Sequence, residues 1–143
     1  MSNLAANQFT PFEPSALPWN ADALLPAIAQ QFDSGEVLMM AWMNADALAE
    51  TISTQRVCYW SRSRQQLWRK GESSGQIQQL HELFLDCDGD TLLLKVNQRG
   101  PACHTGRRSC FFRQLCNDQL KIVADPLIDP RVLYAEVNEL PNP

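Results

Sequence analysis

The sequence predicts a single β-rich α+β domain, and three observations carry that expectation. Its 143 residues suffice for one hydrophobic core and are too few for two ordinary domains. Most apolar residues fall in short runs bounded by Gly, Asp, Asn and Ser, which is a strand pattern, and only one segment repeats them at helical spacing. A composition of 45% hydrophobic and 20% charged residues excludes intrinsic disorder, and no apolar run reaches the length of a membrane-spanning helix.

Residues 1–20 contain Pro11, Pro14 and Pro18 with little periodicity and are expected to form an irregular arm. Two apolar segments then surround Asp33-Ser34-Gly35, which predicts a hairpin. Its second arm, Val37 to Met43, is apolar at nearly every position, as expected for a strand covered on both faces. Asn44 offers an N-cap for a short helix over NADALAETIST, with Leu48 and Ile52 on one face. From Val57 the pattern turns to β, in VCYWS and RQQLWRKG, followed by a polar loop that Gly71 and Gly75 bracket. IQQLHELFLD and TLLLKVNQ are expected to be strands flanking the acidic run Asp86 to Asp90, and CFFRQL another after the loop GPACHTGRRS. In the C-terminal extension, 117–143, Val123 to Asp129 reads as a last extended piece, and the end, with Pro141 and Pro143, as loose.

Charge is unevenly distributed along the chain. The net charge is −4, but residues 1–55 hold six acids and no Lys or Arg, whereas residues 56–113 hold ten bases and five acids. A basic middle between acidic flanks suits an anionic small ligand; the competing reading is a solvated surface that happens to be uneven. The acidic total speaks against a nucleic-acid partner. The N-terminal residues show neither a basic stretch nor an apolar one of the secretory kind, so a cytoplasmic location is expected, with no membrane partner.

Five cysteines are present, at 58, 87, 103, 110 and 116, an odd count that argues against a disulfide framework. The strongest chemical constellation is DCDGD followed by Cys103 and Cys110. Asp86, Asp88 and Asp90 alternate, so an extended backbone sends their carboxylates to one side, where hard oxygen ligands suit Mg²⁺ or Ca²⁺; thiolates suit Zn²⁺. An EF-hand fails, because the sixth and twelfth positions counted from Asp86 are Thr91 and Asn97 rather than Gly and Glu. A polar turn without metal is the alternative, since Asp88-Gly89 is a good turn pair. The spacing of Cys87, Cys103 and Cys110 matches no zinc finger, and on spacing alone inert buried thiols and metal ligands both stay open. Three thiolates would leave one tetrahedral position for water, whose pKa on zinc falls to about 7; Cys116 as a fourth ligand would close the site.

His104 lies in a Gly- and Pro-bounded loop, where an exposed imidazole can act as acid or base near neutral pH. His81, in an apolar strand-like segment, reads as a partly buried, hydrogen-bonded residue, and Cys58 as a small buried one. The basic residues Arg62, Arg64, Arg69, Lys70, Arg107 and Arg108 are candidates for phosphate oxygens, with ordinary surface charge as the competing reading for many of them.

Three of these segments, WSRSRQQLWRKGESSG, DCDGDTLLL and GPACHTGRRSCFF, closely resemble the phosphoribosyl-AMP cyclohydrolases of histidine biosynthesis, in order and in spacing. The resemblance runs from about Leu24 to Cys116. It implies a β-rich pseudobarrel or roll of mostly antiparallel strands with few short helices. It implies hydrolysis of N1-(5-phosphoribosyl)-AMP between N1 and C6 of the adenine ring by zinc-activated water, opening the ring. It also implies a homodimer with active sites at the subunit interface, Zn²⁺ on Cys87, Cys103 and Cys110 drawn from two subunits, and Mg²⁺ on Asp86, Asp88 and Asp90. His104 would then move the proton, and Trp60, Arg62, Lys70, Ser73, Ser74 and Arg107 would contact substrate. The competing class is a structural-zinc module closed by Cys116 whose basic middle binds nucleic acid. A zinc nucleobase deaminase is a poor fit, because the H-x-E and P-C-x-x-C signature is absent.

Overall fold

The computed structural model describes residues 9–134. The expected loose end at Pro141 and Pro143 lies outside the described residues, as do residues 1–8 of the expected arm. The rest of the arm holds one 3-10 turn, Pro14–Ala16, and is fastened by Trp19, whose Nε1 donates to the Pro14 carbonyl at 3.0 Å. Leu17 and Trp19 pack against the core.

The main sheet has the strand order β2-β1-β6-β5. Strands β1 (Leu25–Gln31) and β2 (Val37–Met43) form the expected hairpin, with Leu25 opposite Met43 and Gly35 at a φ of +79° in its turn. Strands β5 (Gln78–Leu85) and β6 (Leu92–Gln98) form a second hairpin around the acidic run. The two hairpins join through a parallel pairing of β1 with β6, Ala27 beside Leu92 and Gln31 beside Val96. Alternate residues of these central strands face the core: Leu25, Ala27 and Ala29 from β1, and Leu92, Leu94 and Val96 from β6. Edge strand β2 departs from expectation. Val37 and Met40 are 44% and 43% exposed, so one of its faces is not covered.

Helix α1 (Ala45–Thr54) begins where Asn44 Oδ1 accepts the Ala47 N–H at 2.8 Å and ends at Gln55, which adopts a left-handed conformation. Its buried face is Ala47, Leu48 and Thr51; Ile52, expected to share it, is 38% exposed. Thr51 explains the difference. Its hydroxyl donates to the Ala47 carbonyl and accepts the Cys58 N–H at 2.9 Å, which turns that side of the helix toward the next strand. There β3 (Cys58–Ser61) and β4 (Gln66–Arg69) form a separate hairpin that buries Cys58 and Tyr59.

Beyond Cys110 two corrections are needed. The expected strand CFFRQL is realised only from Arg113, as β7 (Arg113–Cys116), and it pairs across a turn at Asn117-Asp118 with β8 (Gln119–Ile122), where no strand was expected. Val123 to Asp129 is irregular rather than extended in a sheet, and leads into a single helical turn, α2 (Pro130–Leu133), capped by Asp129. The fold is therefore β-rich α+β with mostly antiparallel strands, as expected, but among the described residues the strands make three open sheets and no closed barrel. No helix of the described residues is long and apolar enough to cross a membrane.

The end of β6 is tied down by buried amides. Gln31 Oε1 accepts the Gln98 N–H at 2.9 Å, and Gln98 Nε2 donates to the carbonyls of Gln76, Arg99 and Pro101. Gln98 Oε1 has no partner, a penalty of about 1–3 kcal/mol, yet the reversed amide would set its oxygen against three carbonyl oxygens and leave them without a donor. Tyr59, fully buried, similarly donates to Gln78 Oε1 at 2.7 Å, and burial pushes its hydroxyl pKa up. Tyr59→Phe is expected to destabilise the fold by about 1–3 kcal/mol by stranding the Gln78 acceptor, and Asn44→Ala by about 1 kcal/mol through loss of the cap. Urea denaturation followed by circular dichroism reads both; an unchanged midpoint for Tyr59→Phe would show that this hydrogen bond adds nothing.

Candidate active site

The loop from Pro101 to Cys110 folds back on itself. Ala102 and Cys103 donate N–H bonds to the carbonyls of Arg108 and Arg107, and Gly106, at φ +86°, donates to the Cys103 carbonyl at 2.9 Å. The exposed edge of β2 then fastens the loop's far end: the Cys110 N–H donates to the Leu38 carbonyl at 2.7 Å and Ser109 Oγ to that of Val37 at 2.7 Å. Arg108 lies under the loop, donating through Nη1 to the carbonyls of Gln98 and Gly100, so its work is structural.

This folding sets Cys103 and Cys110 side by side. Cys103 is 5% exposed and accepts a hydrogen bond from Thr105 Oγ1 at 3.1 Å, while Cys110 stays open on one side. Desolvation of the Cys110 sulfur, reinforced by the adjacent Cys103 sulfur, pushes its thiol up to about 12. Without a cation Cys110 holds its proton; a bound dication reverses that preference and favours the thiolate. Lys70 reaches in beneath them. Its Nζ donates to the Ala102 carbonyl at 2.7 Å, and burial lowers its pKa while the Cys110 and Cys103 sulfurs oppose that fall.

A cavity of about 490 Å³ opens beside the pair, within the size range of small-molecule sites. His104, Cys110, Lys70, Trp68 and the Met39–Ala41 stretch of β2 line it, and Pro130, Arg131 and Tyr134 close another side. His104 is exposed here, as its loop position predicts. Trp68 and Tyr134 are site residues that the sequence reading did not nominate. Trp68 stood inside a quoted motif, whereas nothing in the composition of the tail singles out Tyr134.

The remaining candidates lie elsewhere. Asp86, Asp88 and Asp90 sit on the β5–β6 turn, exposed, with a carboxylate oxygen from each within 4.8 Å of the others. Asp86 Oδ1 accepts the Asp90 N–H at 3.0 Å, and a hydrogen bond to Asp86, with the charges of Asp86 and Asp88, raises the Asp90 pKa. Crowded carboxylates that repel one another are a donor set whose repulsion a hard divalent cation would relieve. Cys87, on the same turn, is exposed and does not join Cys103 and Cys110: among the described residues the three aspartates are the only group of three such ligands. Cys116, exposed on β7, does not join them either.

Trp60 and Arg62 line a different cavity of about 420 Å³ with Asn44 and Gln65, and the Arg62 guanidinium lies 5.0 Å above the Trp42 ring. Ser73 and Ser74 border a shallow cavity with Ile128 and Leu133, and Ser74 Oγ accepts the Gln76 N–H. Arg107 donates from Nε to the Ala124 carbonyl at 2.7 Å and covers the Phe112 ring. One chain thus brings His104, Lys70 and the Cys103–Cys110 pair together and leaves the other nominated residues apart. Cys58 is fully buried, as expected, with its thiol pushed up to about 12 by desolvation. His81 is a correction: it is exposed at a bulge in β5, its ring stacked on Phe32 at 3.9 Å.

The phosphoribosyl-AMP cyclohydrolase family model matches residues 39–112, which take in most of β2, the Lys70 and Ser73-Ser74 segment, the acidic turn and the whole Cys103–Cys110 loop. The chain is 72% identical over 120 residues to the phosphoribosyl-AMP cyclohydrolase of Alkalilimnicola ehrlichii, covering 84% of each protein. It is 68% identical to that of Halorhodospira halophila, over 82% of this chain and 83% of the relative, and 58% identical to that of Rhodospirillum rubrum, over 94% of each. With its paired cysteines, histidine and buried lysine all inside the matched segment, the chain is an enzyme that belongs to the phosphoribosyl-AMP cyclohydrolase family.

Proposed function

We propose that this enzyme hydrolyses N1-(5-phosphoribosyl)-AMP at the N1–C6 bond of its adenine ring, the third step of L-histidine biosynthesis, in the cytoplasm. The observation that carries this reading is the meeting of His104, Lys70 and Cys110 on one cavity, with the Cys103 sulfur adjacent to that of Cys110. Zn²⁺ fits the sulfur pair, and bound there it supplies water acidified to a pKa of about 7. The chain's own residues do the rest. His104, exposed on the cavity wall, takes a proton from the attacking water and returns it to N1 as the N1–C6 bond breaks. Lys70, held by the Ala102 carbonyl, presents a fixed cation toward the carbonyl oxygen that forms at C6. Asp86, Asp88 and Asp90 would hold Mg²⁺, which helps to bind a substrate phosphate.

Two sulfurs from one chain are one short of the proposed zinc set, and Cys87 is exposed on a distant hairpin. A second copy supplying Cys87 resolves both facts. The surface supports that assembly: every residue of the β7–β8 hairpin is exposed, including Leu115, Leu120 and Ile122 at 57–67%, beside Phe111 at 62%. Such an apolar patch is characteristic of an interface in a homodimer. Trp60, Arg62, Ser73, Ser74 and Arg107 are then substrate contacts reached by a long ligand with two phosphates, whose two ends extend beyond the cavity that holds His104.

Cys103→Ala is expected to abolish zinc binding and ring opening together; full zinc content with normal turnover would sink the ligand assignment. His104→Ala should lower kcat by about 10²–10⁴-fold with zinc retained. Mixing unfolded Cys87→Ala and Cys103→Ala chains and refolding them together should recover up to about a quarter of wild-type activity, because half of the dimers carry one intact shared site. No recovery would place all three ligands in one chain.

A further inference from the structure

The matched family segment ends at residue 112, yet one side of the cavity is built by residues beyond it. The connection is specific. After β8, the Val123 N–H donates to the Phe112 carbonyl and Ala124 accepts from Arg107, and then the N–H groups of Leu127 and Ile128 both aim at the Gly106 carbonyl, at 2.8 and 3.4 Å. The approach is so close that a Cβ at Gly106 would lie 1.8 Å from the Ile128 carbonyl oxygen. Asp129 then starts α2, accepting the Arg131 N–H at 2.9 Å and pairing with its guanidinium at 2.8 Å. One helical turn later the chain sets Tyr134 on the cavity that His104, Lys70 and Trp68 line.

We propose that Tyr134, carried to the cavity by the segment 123–134 strapped over the Gly106 turn, is a substrate-contacting residue that stacks on the purine-derived base. This rests on the reading of that cavity as the cyclohydrolase site. The site otherwise offers one large aromatic face, Trp68, beside the flexible side chains of Met39 and Met40. A planar base held only on that side is free to tilt away from His104, and a second ring removes that freedom. Because the strap is fixed to the turn that directly follows His104, base and proton carrier are positioned by the same piece of backbone.

The test compares Tyr134→Ala and Tyr134→Phe with the wild-type protein, measuring ring opening of N1-(5-phosphoribosyl)-AMP, zinc content and binding of AMP by calorimetry. Tyr134→Ala is expected to raise KM and weaken AMP binding by about tenfold, in line with the loss of one aromatic stacking partner, with zinc content unchanged. Tyr134→Phe, which keeps the ring, should stay within about twofold of wild type. Active wild-type protein with unchanged KM and AMP binding in Tyr134→Ala overturns the inference alone, and so does a parallel loss of zinc and fold in that variant with a normal Tyr134→Phe. Folded, zinc-loaded wild-type protein without turnover overturns the cyclohydrolase reading, and the inference with it.

Discussion

The side-chain amide of Gln98 is the contact on which the geometry of the site rests. It leaves the last residue of β6, the best-buried strand of the sheet, and gives its hydrogens to carbonyls of two loops at once, Gln76 on one side and Arg99 and Pro101 on the other. Arg108 completes the tie from below through the carbonyls of Gln98 and Gly100. The loop carrying Cys103, His104 and Cys110 is therefore an extension of the core, not a free surface segment. That rigidity explains how a buried oxygen without a partner is tolerated, since several well-made bonds at about 0.5–1.5 kcal/mol each offset one stranded acceptor.

Electrostatics adds a second constraint. Cys110 and Lys70 share one wall, where burial penalises both charges, pushing the Cys110 thiol up and the Lys70 ammonium down in pKa. A cation on the sulfurs would create anionic thiolates beside Lys70, and thiolate and ammonium favour each other's charged forms. The acidic turn behaves differently. It is exposed and its carboxylates are screened by water, so the crowding of three acids is its main electrostatic feature.

Much of this was legible in the sequence because it depends on local rules. Asn44 is an N-cap, Asp33-Ser34-Gly35 is a hairpin turn and Gly71 to Gly75 is a loop for reasons confined to a few neighbouring residues. The motif-bearing loop likewise announced Cys103, His104 and Cys110; the folded loop sets His104 and Cys110 on one cavity, with Cys103 buried beside Cys110. What was not legible depends on partners distant in sequence. The parallel joining of β1 and β6 leaves no mark in either strand, and the rotation of α1 that exposes Ile52 follows from a hydrogen bond between Thr51 and Cys58. β8 is a short strand, exposed throughout, whose alternation buries nothing, so its pattern carries no periodic signal. His81 looked buried from its apolar neighbours, but a bulge turns it outward. Lys70 was nominated for its charge and proved to be anchored by its burial, which only the folded chain reveals.

The bare β7–β8 hairpin has a kinetic consequence. If the third zinc ligand belongs to a neighbouring molecule, a newly made chain has nowhere to hold the metal firmly until it meets a second one. Metal capture then follows encounter, and at low abundance its rate grows with the square of the protein concentration rather than in proportion to it. A cell making little of this enzyme would be limited in activity by how often two copies collide, however much zinc surrounds them.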